Sequence, residues 1–582
     1  MKKFTADFET STPEWLKIDD RTRVWAYSIC EIGNTDNLIW GTNLDEFFEF
    51  CMNKRENYLL YFHNLKFDGQ YIFYWLFEHG FEYINDKKFR KDKTFTTLIS
   101  DLGMFYSIEI YFEVKNKRHI NKVTIYDSLK ILSFGVEKIA KDFNLPIRKL
   151  NLDYNRYREV GYKLQPYEIA YIKNDVLIMA MALEIMFKEN LTKMTIGSNA
   201  LYNYKELTPN FEKMFPELEL DLHNLMKKSY RGGFTYLNPK YENKTVDNLI
   251  VLDVNSLYPS VMKNEMLPYG RPIYFSGEYK EDLLYPLYIQ VISCSFKVKD
   301  NKIPTIQIKN NIMFMSNEYL ESSNNEILTL TLTNIDLKLF LQNYDTKDLK
   351  YEYGFKFMGR NGMFNDYIDY WSDRKIQAKK DDNGAIYKIS KLMLNSLYGK
   401  FGTGVEVRSK YPYYENEEVK FAITDPEIRK PVYLPMASFI TSLARFKTIT
   451  TSQAIRDYTM QKYNKDYYIY SDTDSIHMIE LPEEELKNFV DIDDYRLGAW
   501  KLESKARRGK FIRQKCYIEE DYDGNINTAI AGLPKKLGKY ITFDNFERGF
   551  SILASDIEKN HKMRWKNFKG GVLLVDTDFT IK

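Results

Sequence analysis

The stretch "YYIYSDTDSIHMIEL", residues 467–481, sets the central problem. Tyr467, Tyr468, Ile469 and Tyr470 are aromatic or β-branched and read as a strand. On an extended chain Asp472 and Asp474 would point to the same side. Two carboxylates held that way repel, so the spacing does little for the local structure, whereas a divalent cation would turn the repulsion into attraction. Asp and Ser are equally at home in a tight polar turn between two strands. This stretch alone leaves both readings open.

The chain has 582 residues, 44% of them hydrophobic, enough for several cores and about three to four domains. With 83 basic and 81 acidic residues, total charge does not single out a nucleic-acid partner. The distribution is more telling. Residues 501–515, "KLESKARRGKFIRQK", carry seven basic residues and one acidic; residues 558–569, "EKNHKMRWKNFK", carry five and one; residues 483–494 carry six acidic residues and one basic. Such segregation fits a charged channel as well as a solvated face. Cys30, Cys51, Cys294 and Cys516 are far apart and form no Cys-x-x-Cys pair, which argues against a disulfide framework or structural zinc and for a reducing compartment. The N-terminal "MKKFTADFET" lacks an apolar signal region, and the longest apolar run, "DVLIMAMALEIMF", is interrupted by Glu184. A soluble, cytosolic protein is expected.

Residues 1–190 read as mixed α/β, with strands at "FTADFET", "NYLLYFHN" and "KVTIYDS" and a long helix at "PYEIAYIKNDVLIMAMALEIMFK". In that helix Tyr171 and Asp175 share a face. "YRGGFTYLN", residues 230–238, signals a turn or close approach. Residues 265–362 suggest short strands, 364–400 two helices joined by "KKDDNGA", and 404–430 a charged hairpin.

"NLIVLDVNSLYPS" reads as a buried strand ending at Asp253, where a carboxylate needs a partner. Asp253 could simply cap the following turn. If its strand lies beside the 467–481 hairpin, Asp253, Asp472 and Asp474 converge, and such a site can hold two Mg²⁺ ions for in-line phosphoryl transfer. In "KLMLNSLYGKFG", helical spacing puts Lys391, Asn395 and Tyr398 on one face. That stripe suits a nucleoside triphosphate, or a plain solvated helix face.

"DVNSLYP", "KLMLNSLYG" and "YSDTDS", in this order, resemble the three polymerase motifs of family B DNA polymerases. "KCY" resembles that family's primer-binding Lys-x-Tyr motif, and "YRGG" the motif joining its exonuclease and polymerase domains. The resemblance extends nearly end to end and is strongest to the protein-primed branch, the polymerases of phi-29-like phages.

That resemblance implies an α+β multidomain fold: a ribonuclease-H-like 3′–5′ exonuclease domain (1–190), then a right-hand polymerase with palm (191–264 and 431–538), fingers (363–403) and thumb (539–582). Two protein-priming insertions would lie at 265–362, for a terminal protein, and 404–430, for processivity and strand displacement. Asp253 and Asp474 would be metal ligands, assisted by the Val254 carbonyl, with Asp472 completing the site and Glu503 ordering it. Tyr258 would exclude a ribose 2′-OH. Lys391 and either Lys375 or Lys379 would bind the dNTP, with Asn395 and Tyr398. Tyr387 stands where the family pattern has a lysine, and Lys388 is a candidate substitute. Tyr230, Gly232, Gly233, Thr441, Arg445, Lys515 and Tyr517 would serve the DNA. The two basic stretches would touch phosphates.

In the N-terminal region Asp7, Glu9, Asp68 and Asp175 match the family's exonuclease carboxylates and would bind two Mg²⁺ ions, with Tyr171 orienting the water and Lys149 assisting at the phosphate. Thr10, His63, Asn64, Phe67, Ser128 and Leu129 would hold the frayed single strand. Mn²⁺ suits the same oxygen ligands. Expected partners are template–primer DNA, dNTPs and a terminal protein, with a single-stranded DNA-binding protein compatible and no membrane; a monomer in the infected bacterial cytoplasm is expected. The alternatives are a non-catalytic DNA-end-binding protein on a polymerase scaffold and a conventional repair polymerase. The gathered carboxylates speak against the first and the two insertions against the second.

Overall fold

The computed structural model describes residues 1–52, 56–116, 120–308, 317–556 and 563–582. The N-terminal unit is built on an eight-stranded mixed sheet. At its centre Lys2–Thr10 pairs parallel with Tyr58–Phe62, which pairs parallel with Ile120–Asp127, while Val24–Glu31 joins antiparallel on the other side. Tyr58–Phe62 is apolar and buried at every position, as a central parallel strand must be. The helices Leu65–Glu78 and Pro166–Lys188 flank it. The second begins with Pro in its first turn and with the Gln165 N–H donating to Glu168 at 2.9 Å. It stops where Asn190 turns left-handed (φ 60°) and the Leu191 N–H closes on the Met186 carbonyl at 3.0 Å.

The second half centres on a seven-stranded antiparallel sheet. Thr245–Val254 lies between Trp500–Arg513 and Ser475–Ile479, and Tyr468–Asp472 and Thr235–Leu237 follow on the hairpin side. The 30-residue helix Leu434–Tyr463 packs with it, burying Phe439, Ile440, Ala444, Ile449 and Ile455. Asn365–Lys380 and Gly384–Ser396 form the expected helix pair; Asp382 turns left-handed between them and the Asn383 side chain caps the second.

The 265–362 region departs from the expectation of short strands. Two of its sheet's four strands, Leu287–Val298 and Tyr344–Arg360, run 12 and 17 residues, and it contains a helix, Asn334–Asn343. Thr333 caps that helix through the Asp336 N–H, and Leu337 and Phe340 bury against the sheet.

Lys410–Glu415 and Glu418–Ile423 form the hairpin read at 404–430. Asn416 and Glu417, both at positive φ, make its two-residue turn. It leans on the N-terminal unit: Phe421 meets Phe73 and Phe105, and Tyr411 stacks on Tyr83 with centroids 5.4 Å apart. A C-terminal hairpin, Met563–Phe568 with Gly571–Asp576, docks on the same unit, where the Tyr71 and Tyr74 hydroxyls donate to the Val572 and Phe568 carbonyls. The two hairpins touch: Asn567 donates to the Val419 carbonyl (3.2 Å) and Lys569 pairs with Glu417 (3.0 Å). Residues 558–562 of the basic tail lie outside the described residues. All four cysteines are buried and free. Among the described residues no helix is long and apolar enough to cross a membrane.

Candidate active sites

The Asp472/Asp474 stretch is both a tight turn and a carboxylate site. Tyr468–Asp472 and Ser475–Ile479 are joined by Thr473 and Asp474 alone, with Thr473 left-handed at φ 63°. Asp474 is therefore in the turn, and the extended-strand alternation expected for the two aspartates does not hold. The Thr473 N–H donates to the Phe234 carbonyl (2.6 Å), the Thr448 hydroxyl to the Thr473 carbonyl (2.9 Å) and the Val254 N–H to the Asp474 carbonyl (2.8 Å). Gly233 makes this approach feasible, since a Cβ there would lie 2.5 Å from the Thr473 hydroxyl oxygen.

Asp253 pairs with Ser475 across the strands, which brings Asp253, Asp472, Asp474 and Glu503 to one cleft. Burial pushes the Asp253 carboxyl up to about 7, reinforced by the charges of Asp474 and Glu503 and opposed by Lys501 and Lys391. Burial also raises Asp474, with Asp472 and Glu503 adding to it. Asp472 is already occupied: Lys515 Nζ reaches both its oxygens (3.0 and 3.1 Å) and the Thr235 hydroxyl donates at 3.1 Å. Two like-charged, partly buried carboxyls such as Asp253 and Asp474 have the chemistry to take a divalent cation. Among the described residues no three acidic, His or Cys side chains form a closed cage as they stand, so a bound ion would draw them in or take ligands from main chain, water or substrate.

Near Asp474, whose charge acts on both phenols, the Tyr258 and Tyr398 rings stack at 3.9 Å. The helix carrying Lys391 and Asn395, both exposed, ends at Ser396, and Tyr398 opens a second short helix, so the single continuous face read from spacing is broken at Leu397. Burial and then the charges of Lys391 and Lys379 hold Lys375 below the usual lysine range, while Lys379 lies over the Tyr495 ring at 4.7 Å. Lys388, the candidate for the missing lysine, pairs with Asp142 at 3.0 Å, a carboxylate that Lys138 also reaches at 3.1 Å. Lys505, Arg507 and Arg508 of the basic strand pair with Glu480 and Glu520.

Two expected DNA contacts are corrected. Thr441 and Arg445 are buried, and Arg445 is fully engaged inside the protein. It pairs with Asp336 (2.6 Å) and donates to the Arg231 and Gly232 carbonyls (2.8 and 2.7 Å). It acts on the "YRGG" loop, where the Tyr230 ring also covers Gly402. Asp336 was missed because nothing in its surroundings links it to a residue 109 positions away. Tyr517 lies half-buried in a nest of Tyr470, His477 and Phe511.

The N-terminal carboxylates also converge. Asp7 and Glu9 share one strand face, Asp68 opens the Leu65–Glu78 helix and Asp175 lies on Pro166–Lys188. Burial and then Asp175 raise Asp7 to about 7; burial and then Asp7 push Glu9 and Asp68 well above the carboxylate range. Asp175 is raised too, although Lys149 lies 2.6 Å from its Oδ2; its Oδ1 is buried without a hydrogen-bond partner. An orphaned carboxylate oxygen among three raised carboxyls fits a cation. The Tyr171 hydroxyl bonds that of Tyr154, an exposed residue that nothing in its flanking sequence marks.

Of the residues expected to hold a single strand, Asn64 is exposed and Thr10, Phe67 and Leu129 are half-buried, Phe67 edge-on to Trp565. His63 and Ser128 are corrected: the His63 ring is bound by the Ser128 hydroxyl (3.0 Å) and the Phe134 carbonyl (2.7 Å), and Ser128 is buried. Their polar atoms are used internally. Asp127, also missed, accepts the Asn64 and Leu129 N–H groups at 3.0 Å and shapes this rim.

A family model described as DNA polymerase type B, organellar and viral, matches residues 50–489. The DNA polymerase of Bacillus phage M2 is 45% identical over the whole of both chains. That of Bacillus phage phi29 is 43% identical over all of this chain and 99% of its own. The phi29 DNA polymerase solved with primer–template DNA and incoming nucleotide superposes with a TM-score of 0.89 at 42% identity, all of each chain covered.

Proposed function

The chain belongs to the organellar and viral family B DNA polymerases, and on that premise we propose that this phage-type enzyme builds DNA at the Asp253/Asp474 cleft and removes mispaired 3′ ends at the Asp7/Glu9/Asp68/Asp175 cluster. The observation that carries the reading is the meeting of Asp253 and Asp474 in one cleft, with both carboxyls raised and the Tyr258–Tyr398 pair within reach of the Asp474 charge. A scaffold that only binds DNA ends has no use for such repulsion.

Polymerases of this family use divalent metal ions. Asp253 and Asp474, with the Val254 carbonyl, would hold Mg²⁺ or Mn²⁺, which when bound supplies the charge that activates a 3′-hydroxyl and steadies in-line displacement. Lys391 and Lys375, which is half-buried beside two other lysine charges, neutralise the triphosphate, and Asn395 and Tyr398 border it. Tyr258, stacked on Tyr398, would floor the incoming sugar and exclude a 2′-hydroxyl. Lys515 and Tyr517 seat the primer end, with Asp472 held by Lys515. At the other cluster, Asp7, Glu9, Asp68 and Asp175 would hold the same ions. Tyr171 and Tyr154 orient the attacking water, Lys149 counters the phosphate charge, and Thr10, Asn64, Phe67 and Leu129 line the frayed strand.

In this reading residues 1–190 form the exonuclease domain, 191–264 and 431–538 the palm, 363–403 the fingers and 539–582 the thumb. Residues 265–362 meet a terminal protein that offers the priming hydroxyl. The hairpin within 404–430, touching the C-terminal hairpin, closes around DNA and opens duplex ahead of synthesis in the host cytoplasm. Extension of a 5′-labelled primer with Mg²⁺ and dNTPs tests the two-site reading. Asp474→Ala should abolish extension and keep 3′ degradation; Asp7→Ala/Glu9→Ala should do the reverse. Loss of both activities in either variant would overturn it.

A further inference from the structure

His477 lies three residues beyond Asp474, opposite Val251 of the Asp253 strand on one side and Tyr470 on the other. Its Nδ1 is 2.8 Å from Glu519 Oε1. Both side chains are buried, at 3% and 5% exposure. Glu519 belongs to the strand Cys516–Glu520, which also carries Tyr517. In the sheet that strand is separated from Ser475–Ile479 by two others, so the pair spans the curled face without following the hydrogen-bond ladder. Gly509, directly opposite Glu519, leaves the passage open: a Cβ there would sit 2.5 Å from Leu249 and 3.4 Å from Glu519 Cγ. The His477 ring also meets the rings of Tyr517 (5.0 Å) and Phe511 (5.6 Å).

Burying a carboxylate and an imidazole is costly unless each serves the other. A plain core would fill this space with apolar side chains at less cost. This pair joins the two pieces whose separation matters for synthesis, the hairpin bearing Asp472 and Asp474 and the strand bearing Tyr517, which the turn residue Lys515 immediately precedes. We infer that His477 and Glu519 are positioning residues: their bond sets the distance from the Lys-x-Tyr strand to the carboxylate hairpin, and so where the primer 3′ end stands relative to Asp253 and Asp474. This rests on the polymerase reading of that cleft.

The test compares the full-length wild type with Glu519→Leu, Glu519→Gln and His477→Leu. Each is assayed for primer–template dissociation constant, kcat and KM for dNTP in extension, and degradation of a single-stranded oligonucleotide. That last activity belongs to the other cluster and reports whether the chain is folded. Loss of one charged-group hydrogen bond corresponds to about a tenfold effect. Glu519→Leu and His477→Leu should weaken primer–template binding or lower kcat by about that factor. KM for dNTP and single-strand degradation should stay within about twofold. Glu519→Gln, which keeps an acceptor for the imidazole N–H, should recover most of the loss. Unchanged extension and binding in the Leu variants would overturn the inference, as would a parallel fall in single-strand degradation or no recovery by Gln. Absence of extension by the wild type would instead sink the reading of the cleft itself.

Discussion

Lys515 Nζ lies 3.0 and 3.1 Å from the two carboxylate oxygens of Asp472, whereas among the described residues Asp474, two residues on, has no ion pair and feels Lys515 only as a nearby charge. The two aspartates of one motif are therefore unequal. Asp474→Asn should reduce extension by about three orders of magnitude, and Asp472→Asn by only about ten- to a hundredfold, because the second removes a charge already countered within the protein. Single-turnover extension at saturating dNTP measures the difference; equal losses would contradict it.

The raised carboxyls give a pH dependence with a definite sign. Asp253 and Asp7 both stand near 7, above their ordinary value. The folded chain therefore holds more protons than the unfolded chain between about pH 4 and 7, and the stability of the metal-free protein should fall as pH rises through that window. Mg²⁺ or Mn²⁺ should restore it at pH 7.5 and do little at pH 5, since cations compete with the same protons. Thermal unfolding with and without metal at both pH values measures this; a metal effect equal at the two would contradict it.

Lys375 and Lys379 should separate in kinetics. Lys375 is half-buried with two lysine charges nearby, while Lys379 lies over Tyr495. With no ion pair to it among the described residues, a lysine in that position suits an anion. Lys375→Ala should raise KM for dNTP about tenfold and Lys379→Ala by less than about twofold; the opposite order would assign the triphosphate to Lys379.

Breaking the buried Asp336–Arg445 pair should cost about 3–5 kcal/mol. Arg445→Met should also free the Arg231 and Gly232 carbonyls, speeding hydrogen exchange in residues 229–234. Replacing both partners, as Arg445→Met/Asp336→Leu, should recover part of the stability and none of the loop protection. Full protection in the double variant would show that the loop is held by other contacts.

The contact of Glu417 with Lys569 joins the two hairpins. Glu417→Cys/Lys569→Cys joined by a short bis-maleimide should leave a preformed complex on circular DNA resistant to a high-salt wash, which strips contacts that are only electrostatic. Release at the same rate as the unlinked protein would show that the hairpins do not encircle DNA.

How much of this was readable beforehand follows from how local each feature is. The helix Pro166–Lys188 carries its own Pro start and apolar period, and the turn between the paired helices carries its own Asp, Asn and Gly. The carboxylates that converge were named from short motifs. What stayed hidden depends on distant partners. Thr473 takes its left-handed shape against Gly233 and Phe234, which moves Asp474 off the strand. His63 and Ser128 satisfy one another, Lys388 finds Asp142, and Arg445 finds Asp336. In each, a polar residue of the right type for DNA was taken up by a protein group far away in sequence.

The most direct test is to locate Mn²⁺ by anomalous diffraction in crystals of the protein with a dideoxy-terminated primer–template and dNTP, and again with a single-stranded oligonucleotide. Density is expected between Asp253 and Asp474 in the first and among Asp7, Glu9, Asp68 and Asp175 in the second, with Asp472 still on Lys515. Ions bound away from both clusters, or Asp472 replacing Asp253 as a ligand, would contradict it.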